Sequence, residues 1–202
     1  TVCAPTRCSL MTGKHTGHCV VRGNREVKPE GQAPMPADVV TIPRLLKKAG
    51  YTTGMFGKWG LGAPGSTSDP MEHFDVFYGY NCQREAHDYY PDHLWSNNEV
   101  VSLDEETYAH DLIMEQSYKF VRDHKDKPFF LFLPVTIPHA AMQVPEDSIA
   151  PYREKFPQFE KLQGKYAGRT VTNPVAAFAG MMTRLDSQIG ALQQLLRDSG
   201  LE

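Results

Sequence analysis

The run Pro128-Phe-Phe-Leu-Phe-Leu-Pro-Val135 places the tightest limit on the fold. It is continuously apolar, short, and bounded by prolines. A segment of that length and pattern suits a strand buried on both faces, as in a parallel sheet covered by helices. The neighbouring segments agree. Thr41 to Gly50 reads as a short helix, with Thr41 as N-cap, Pro43 in the first turn and Gly50 at the end. Tyr51 to Gly57 follows as a buried strand, and helix, glycine turn, strand is half of an α/β repeat. Thr107 to Asp123 carries apolar residues at the helical period. Asn173 to Gly200 is the strongest helix, capped by Asn173, opened by Pro174 and closed by Gly200, with Met181, Leu185, Ile189, Leu192 and Leu196 as its buried stripe. The fold class expected is α/β, with a mostly parallel central sheet flanked by helices.

The remaining stretches read as connections. Lys28 to Val40 is irregular and rich in Pro and Gly. Residues 73–95 read as a loop dense in aromatic and polar groups. Asn97 to Leu103 reads as a hairpin turning at Asn97-Asn98, and Pro151 to Arg169 as a charged surface excursion. With 202 residues, the chain is expected to be one domain, 1–202. Its opening at Thr1 and its end just past a helix lead us to expect an internal piece of a longer protein. A net charge of −3 gives no basic excess, so a nucleic-acid partner is not expected. No apolar run approaches membrane-spanning length. The four cysteines, Cys3, Cys8, Cys19 and Cys82, fit no zinc spacing. With Cys3 reserved for chemistry, buried free thiols are expected for the other three, one disulfide remaining an alternative.

Three places carry chemistry. Val2-Cys-Ala-Pro-Thr-Arg-Cys-Ser-Leu-Met-Thr-Gly-Lys14 reads as a Cys at a helix entrance, with Pro5 in the first turn and Gly13 as C-cap. Backbone N–H groups and the macrodipole favour an anion there and activate a reactive sulfur or oxygen. Arg7 stands four residues on, one turn later on the same face. In the loop that follows, His15 and His18 read as surface histidines, while Arg22 and Asn24 are candidates for touching an anionic substrate. Gly57-Lys-Trp-Gly-Leu-Gly62 sets Lys58 on a glycine-rich turn past a strand's C-terminal end, well placed to grip an anion. Thr136-Ile-Pro-His139 follows the apolar run. Ligands of open α/β sheets bind outside the carboxyl ends of strands, so Lys58 and His139 are expected to converge on one crevice.

Cys3-x-Pro5-x-Arg7 followed by Leu10-Met-Thr-Gly-Lys14, then Gly57 to Gly62, then Pro138-His139 with Val144-Pro145, together resemble the type I sulfatases. The resemblance implies the alkaline-phosphatase-like α/β sandwich, incomplete in this stretch. It also implies that Cys3 is converted by a formylglycine-generating maturase into formylglycine, whose hydrate attacks sulfur. Calcium is the implied cofactor. Residue 3 would be one of its ligands and the other four lie outside this sequence, so this stretch alone should bind calcium weakly. Lys58 would contact the sulfate, His139 would protonate the leaving alcohol, and Arg7 would help acidify the nucleophile. Lys14, Arg84 and His87 are the candidate substrate-binding residues, with Gln83 as a further polar group beside Arg84. The substrate implied is a sulfated glycan or small molecule, and the compartment periplasmic, extracellular or lysosomal. Two departures stand out: Thr6 replaces the usual Ser, and Gly60 stands where the family usually carries a His. His87 is the candidate to fill the role vacated at Gly60. Two other readings stay open, a phosphoryl-transfer hydrolase of the same superfold, against which Cys3-x-Pro5-x-Arg7 speaks, and a non-catalytic sulfatase-like binding protein, which Gly60 favours.

Overall fold

Helices and strands are interleaved along the chain. The computed structural model describes residues 2–166 and 168–201. In chain order it contains α1 (Cys3–Thr12), α2 (Ile42–Lys48), β1 (Thr52–Lys58), α3 (Pro70–His73), β2 (Val76–Tyr80), β3 (His93–Ser96), β4 (Glu99–Ser102), α4 (Ala109–His124), β5 (Phe129–Phe132), α5 (Glu146–Lys155), β6 (Gln163–Lys165), β7 (Thr170–Thr172) and α6 (Pro174–Asp198). Five strands form one sheet in the order β4-β3-β2-β1-β5. Strand β1 runs parallel to both β2 and β5, while β3 and β4 continue the sheet as an antiparallel hairpin.

The period-2 rule for strands divides the apolar residues between two layers. Met55, Phe77, Phe130 and Phe132 point to one face, where α1 covers them with Ala4, Cys8 and Met11. Phe56, Tyr78, Phe129 and Leu131 point to the other, against Ala109, Ile113 and Phe120 of α4. Helix α4 lies close because β1 has no side chain at Gly54: a Cβ there would stand 2.7 Å from the Phe120 ring. Helix α6 is capped as its sequence implies, the Asn173 side chain accepting from Ala176 N at 3.0 Å.

Four expectations change. The apolar run forms β5 only over Phe129–Phe132, and all four residues are half-buried. Among the described residues β5 pairs with β1 alone, so it is an edge strand here and not one enclosed on both sides. The aromatic stretch 73–95 is not one loop. Val76-Phe77-Tyr78 pairs with β1, and β-branched and aromatic residues fit that pleated surface. A short 3-10 turn, Glu85–His87, then leads to β3. The excursion 151–169 begins inside α5, whose helix runs on through Pro151. It continues into the β6–β7 hairpin, which contains Tyr166.

Candidate active site

Cys3 is the first residue of α1, after Val2 in extended conformation. Its neighbour's amide, Ala4 N, donates to Asn24 Oδ1 at 2.8 Å, so Asn24 ties the helix entrance to the following loop. Gly13 closes α1 in the left-handed conformation, at φ 67°, as the motif implies. One turn into the helix, Arg7 reaches across and donates through Nη1 to the Lys58 carbonyl, fastening α1 to the end of β1. Lys58 is 4% exposed, an unusual burial for an ammonium. Its backbone is fixed from both sides: Lys58 N donates to Pro134 O at 2.9 Å, and the next amide, Trp59 N, donates to Tyr80 O at 2.9 Å. So held, Lys58 Nζ donates to Cys3 Sγ at 3.4 Å.

Two histidines complete the hollow. His87 ends the 3-10 turn after β2, which Tyr80 anchors by donating its hydroxyl to Asp88 O at 2.7 Å. His139 ends the turn after β5: its N–H donates to Thr136 O at 3.0 Å, and the Tyr89 hydroxyl donates to the same carbonyl. Cys3, Arg7, Asn24, Lys58, His87 and His139 line one cavity of about 470 Å³, with Thr136 and Tyr166 in its wall. Arg7 Nε, His87 Nε2, Thr136 Oγ1 and His139 Nδ1 are buried with no hydrogen-bond partner. Unpaired polar atoms gathered in one hollow are costly to keep empty and favour a polar ligand.

The electrostatics favour an anion. Burial raises the Cys3 thiol, but the Lys58 charge and hydrogen bond, the Asn24 hydrogen bond and Arg7 together bring it below the ordinary thiol value. Burial pulls Arg7 down to about 10, and burial with Arg7 nearby lowers Lys58. Burial, then Lys58 and His139, hold His87 down to about 4. Burial, Lys58 and Arg7 also lower His139.

The sequence model of the sulfatase family matches residues 1–202. The chain belongs to the sulfatase family. An arylsulfatase of Hemicentrotus pulcherrimus is 30% identical over 72% of the chain, which spans 30% of that relative. N-acetylglucosamine-6-O-sulfatase of Bacteroides thetaiotaomicron is 28% identical over 82% of the chain and is covered over 27% of its own length. Among solved structures, Ps i-CgsB in complex with k-i-k-neocarrahexaose superposes with a TM-score of 0.76 at 24% identity, over 98% of this chain and 45% of that one. The fold is therefore that of the sulfatases, alkaline-phosphatase-like. The chain spans under a third of the length of those two relatives.

Within this sulfatase chain, six of the residues singled out from sequence meet at the cavity: Cys3, Arg7, Asn24, Lys58, His87 and His139. Four do not. Lys14 is exposed past Gly13, at the far end of α1 from Cys3. Arg84 ion-pairs at 2.9 Å with Glu26 and with Glu85 and faces a separate hollow with His93 and Trp95. The turn 84–87 thus sends its first residue away from the cavity and its last into it. Gln83 is also structural, its amide nitrogen donating to Gly60 O at 3.1 Å. Arg22 donates to the Cys19 and Gly17 carbonyls and ties the loop. Thr136 and Tyr166 were not singled out, since a lone Thr and a lone Tyr in a charged stretch give no periodic or motif signal.

At Gly60, where the resemblance leads us to expect a His, there is no room for a side chain. The glycine has φ 69°, and a Cβ there would lie 2.0 Å from Gln83 Nε2. Gln83 occupies the space that a side chain at position 60 would need. The calcium expected from the resemblance has no cage here. Among the described residues no group of three or more His, Cys, Asp or Glu lies close enough to hold a metal, and the charges next to Cys3 are cations. A hard dication needs several oxygen ligands, so these residues alone do not fit one. All four cysteines are free thiols.

Proposed function

We propose that the full-length protein hydrolyses a sulfate ester of a carbohydrate or an aryl alcohol, with Cys3 as the source of its nucleophile. The observation that carries this is the meeting of Cys3, Arg7, Lys58 and His139 around one polar hollow at a helix N-terminus. The name of the Bacteroides relative favours a sulfated sugar.

Oxidised to formylglycine by a maturase, residue 3 would supply a hydrated aldehyde as the oxygen nucleophile. Every other part of the proposal falls to this chain's own side chains. Lys58, buried, and Arg7, half-buried, are the cations beside residue 3 that draw the sulfate in and neutralise charge building on its oxygens in the transition state. Arg7 also holds the two elements that carry residue 3 and Lys58 at a fixed separation. His139, across the cavity, protonates the leaving oxygen. Residue 3 would be this chain's one ligand to the calcium that the resemblance implies, and no step above runs through that ion.

The test expresses the full-length protein with a formylglycine-generating maturase and assays sulfate and phosphate esters side by side. Sulfate release is expected, together with the aldehyde mass on the Cys3 peptide. Cys3→Ala should lower kcat/KM by about 10³-fold or more, as loss of a nucleophile does. Unchanged turnover by Cys3→Ala, or preference for the phosphate ester, overturns the reading.

A further inference from the structure

Cys8 and Cys19 are free thiols that the chemistry at residue 3 does not use, and they meet on the inner side of α1. Cys8 lies mid-helix and is wholly buried, its sulfur 3.9 Å from Met35 Sδ. Thr12 follows it by four residues, on the same face, and donates its hydroxyl to Cys8 O at 2.7 Å. The chain then leaves α1 through Gly13 and returns in a tight turn. His18 N and Cys19 N both donate to His15 O, at 2.8 Å and 3.0 Å, and the turn swings Cys19 back over the helix. Cys19 Sγ comes to rest 3.3 Å from Ser9 Oγ and 3.8 Å from Thr12 Oγ1, the side chains that flank Cys8 on α1.

A cysteine that only fills space sits among apolar side chains. Cys8 does so, but Cys19 does not. Two hydroxyls and the Lys14 carbonyl, at 3.3 Å, surround its sulfur. Cys19 is 2% exposed, yet His18 and Val20 on either side of it are exposed, so it lies just beneath the surface. The two thiols are therefore unlike. Burial raises Cys19, but hydrogen bonds from Ser9, Thr12 and Cys8, with the Lys14 charge, bring it below the ordinary thiol value. Burial outweighs the Val21 and Val20 amides at Cys8 and holds it above that value. A shallow thiol that ionises readily, backed by a deep one that keeps its proton, is the arrangement of an attacking and a resolving cysteine.

We propose that Cys8 and Cys19 are an oxidation site, a pair that hydrogen peroxide converts into a disulfide stapling the turn 15–18 to α1. The Cys19 sulfur attacks one peroxide oxygen. An S–O bond forms, the O–O bond breaks, and the departing hydroxide takes up the thiol's proton as water. The Cys8 sulfur then attacks the sulfenic sulfur of Cys19. The S–S bond forms, the S–O bond breaks, and hydroxide leaves with the Cys8 proton as a second water. Two thiols have lost two electrons and two protons, and one peroxide has been reduced to two waters. The closed ring contains residues 9–18. It removes the open states of the turn that otherwise let the segment leave the helix. That segment runs on to Asn24, which holds Ala4 N at the helix entrance, so the staple steadies the same helix that presents residue 3. The proposal stands apart from the sulfate-ester reading and survives or fails without it.

The test treats the folded, fully reduced full-length protein with stoichiometric hydrogen peroxide, alkylates the thiols that remain, and digests it with trypsin without reductant. Trypsin cuts after Arg7, Lys14 and Arg22, so the two cysteines fall on separate peptides. The expected product is Cys8–Lys14 joined to His15–Arg22, two hydrogens lighter than the pair apart and separated again by reductant. Amide exchange across residues 15–22 should slow by about tenfold or more in the oxidised protein. Cys19→Ser should leave Cys8 open to alkylation after peroxide. Recovery of both cysteines alkylated, Cys19 carried on to sulfinic acid with Cys8 free, or either one joined to Cys3 or Cys82 overturns the site. A joined peptide with unslowed exchange overturns the staple. The wild-type digest decides the matter even if the variant misfolds.

Discussion

Lys58 is the residue on which the site's electrostatics turn. It is buried, its backbone is held by two neighbouring strands' chains, and its ammonium donates to Cys3 Sγ. Its charge is the largest influence bringing the Cys3 thiol down against burial. In protein made without maturase, the alkylation rate of Cys3 should therefore rise with a midpoint below that of an ordinary thiol. Lys58→Met should move that midpoint up, because the thiolate loses its cation while burial remains. An unmoved midpoint would show that Lys58 does not stabilise the anion. Most of this residue-level picture was legible in the sequence. Cys3 and Arg7 are one helical turn apart, Lys58 closes β1 and His139 follows β5, but it was the family resemblance of the strings around them that raised these residues above ordinary buried or surface ones. Lys14 and Arg84 misled. Lys14 sits past the helix's own cap, and the 3-10 turn at Glu85–His87 gave no advance notice of which way Arg84 would face.

At the scale of elements, β1 is the centre of the parallel part of the sheet. It pairs on both sides, accepts α4 against Gly54, and delivers Lys58. Gly54→Ala should cost about 1–3 kcal/mol in urea unfolding, since the Phe120 ring must move out of a packed layer. In a Phe120→Leu background the added cost should shrink, because the two sites share one contact. Equal costs in both backgrounds would mean that the ring is not the obstacle. Capped and strongly periodic elements, α6 above all, were legible from sequence because their signals are local. Strand β2 was hidden, since Val76 to Tyr80 lies within a stretch whose aromatic density continues through residue 95. Helix α5 was hidden by the proline in its interior, which ordinarily ends a helix.

Across the whole molecule, buried neutral histidines set the response to acid. Burial, with Arg44 and Lys47 nearby, holds His73 down to about 3, and burial holds His110 down to about 4. Both are 1% exposed. Their folded values lie below the unfolded value of about 6.5, so the unfolded chain binds protons first as pH falls. Stability from these groups is whole above pH 6.5 and is lost toward pH 4 and then 3. Each contributes a slope of up to about 1.4 kcal/mol per pH unit within its window. Urea unfolding at stepped pH should show this decline in the full-length protein, and His73→Gln should remove one group's share; an undiminished slope would exclude His73. Fold class was readable from a single apolar run, but the place of that run in the sheet was not, since pairing is decided by distant segments. Strand β5 leaves its outward-pointing backbone groups unmatched among the described residues, with Pro128 and Pro134 standing as bookends that lack an amide hydrogen to offer. Such bookends cap how far a stranger's backbone could zip alongside, which makes the ribbon a poor seed for fibrils even though its side chains are greasy.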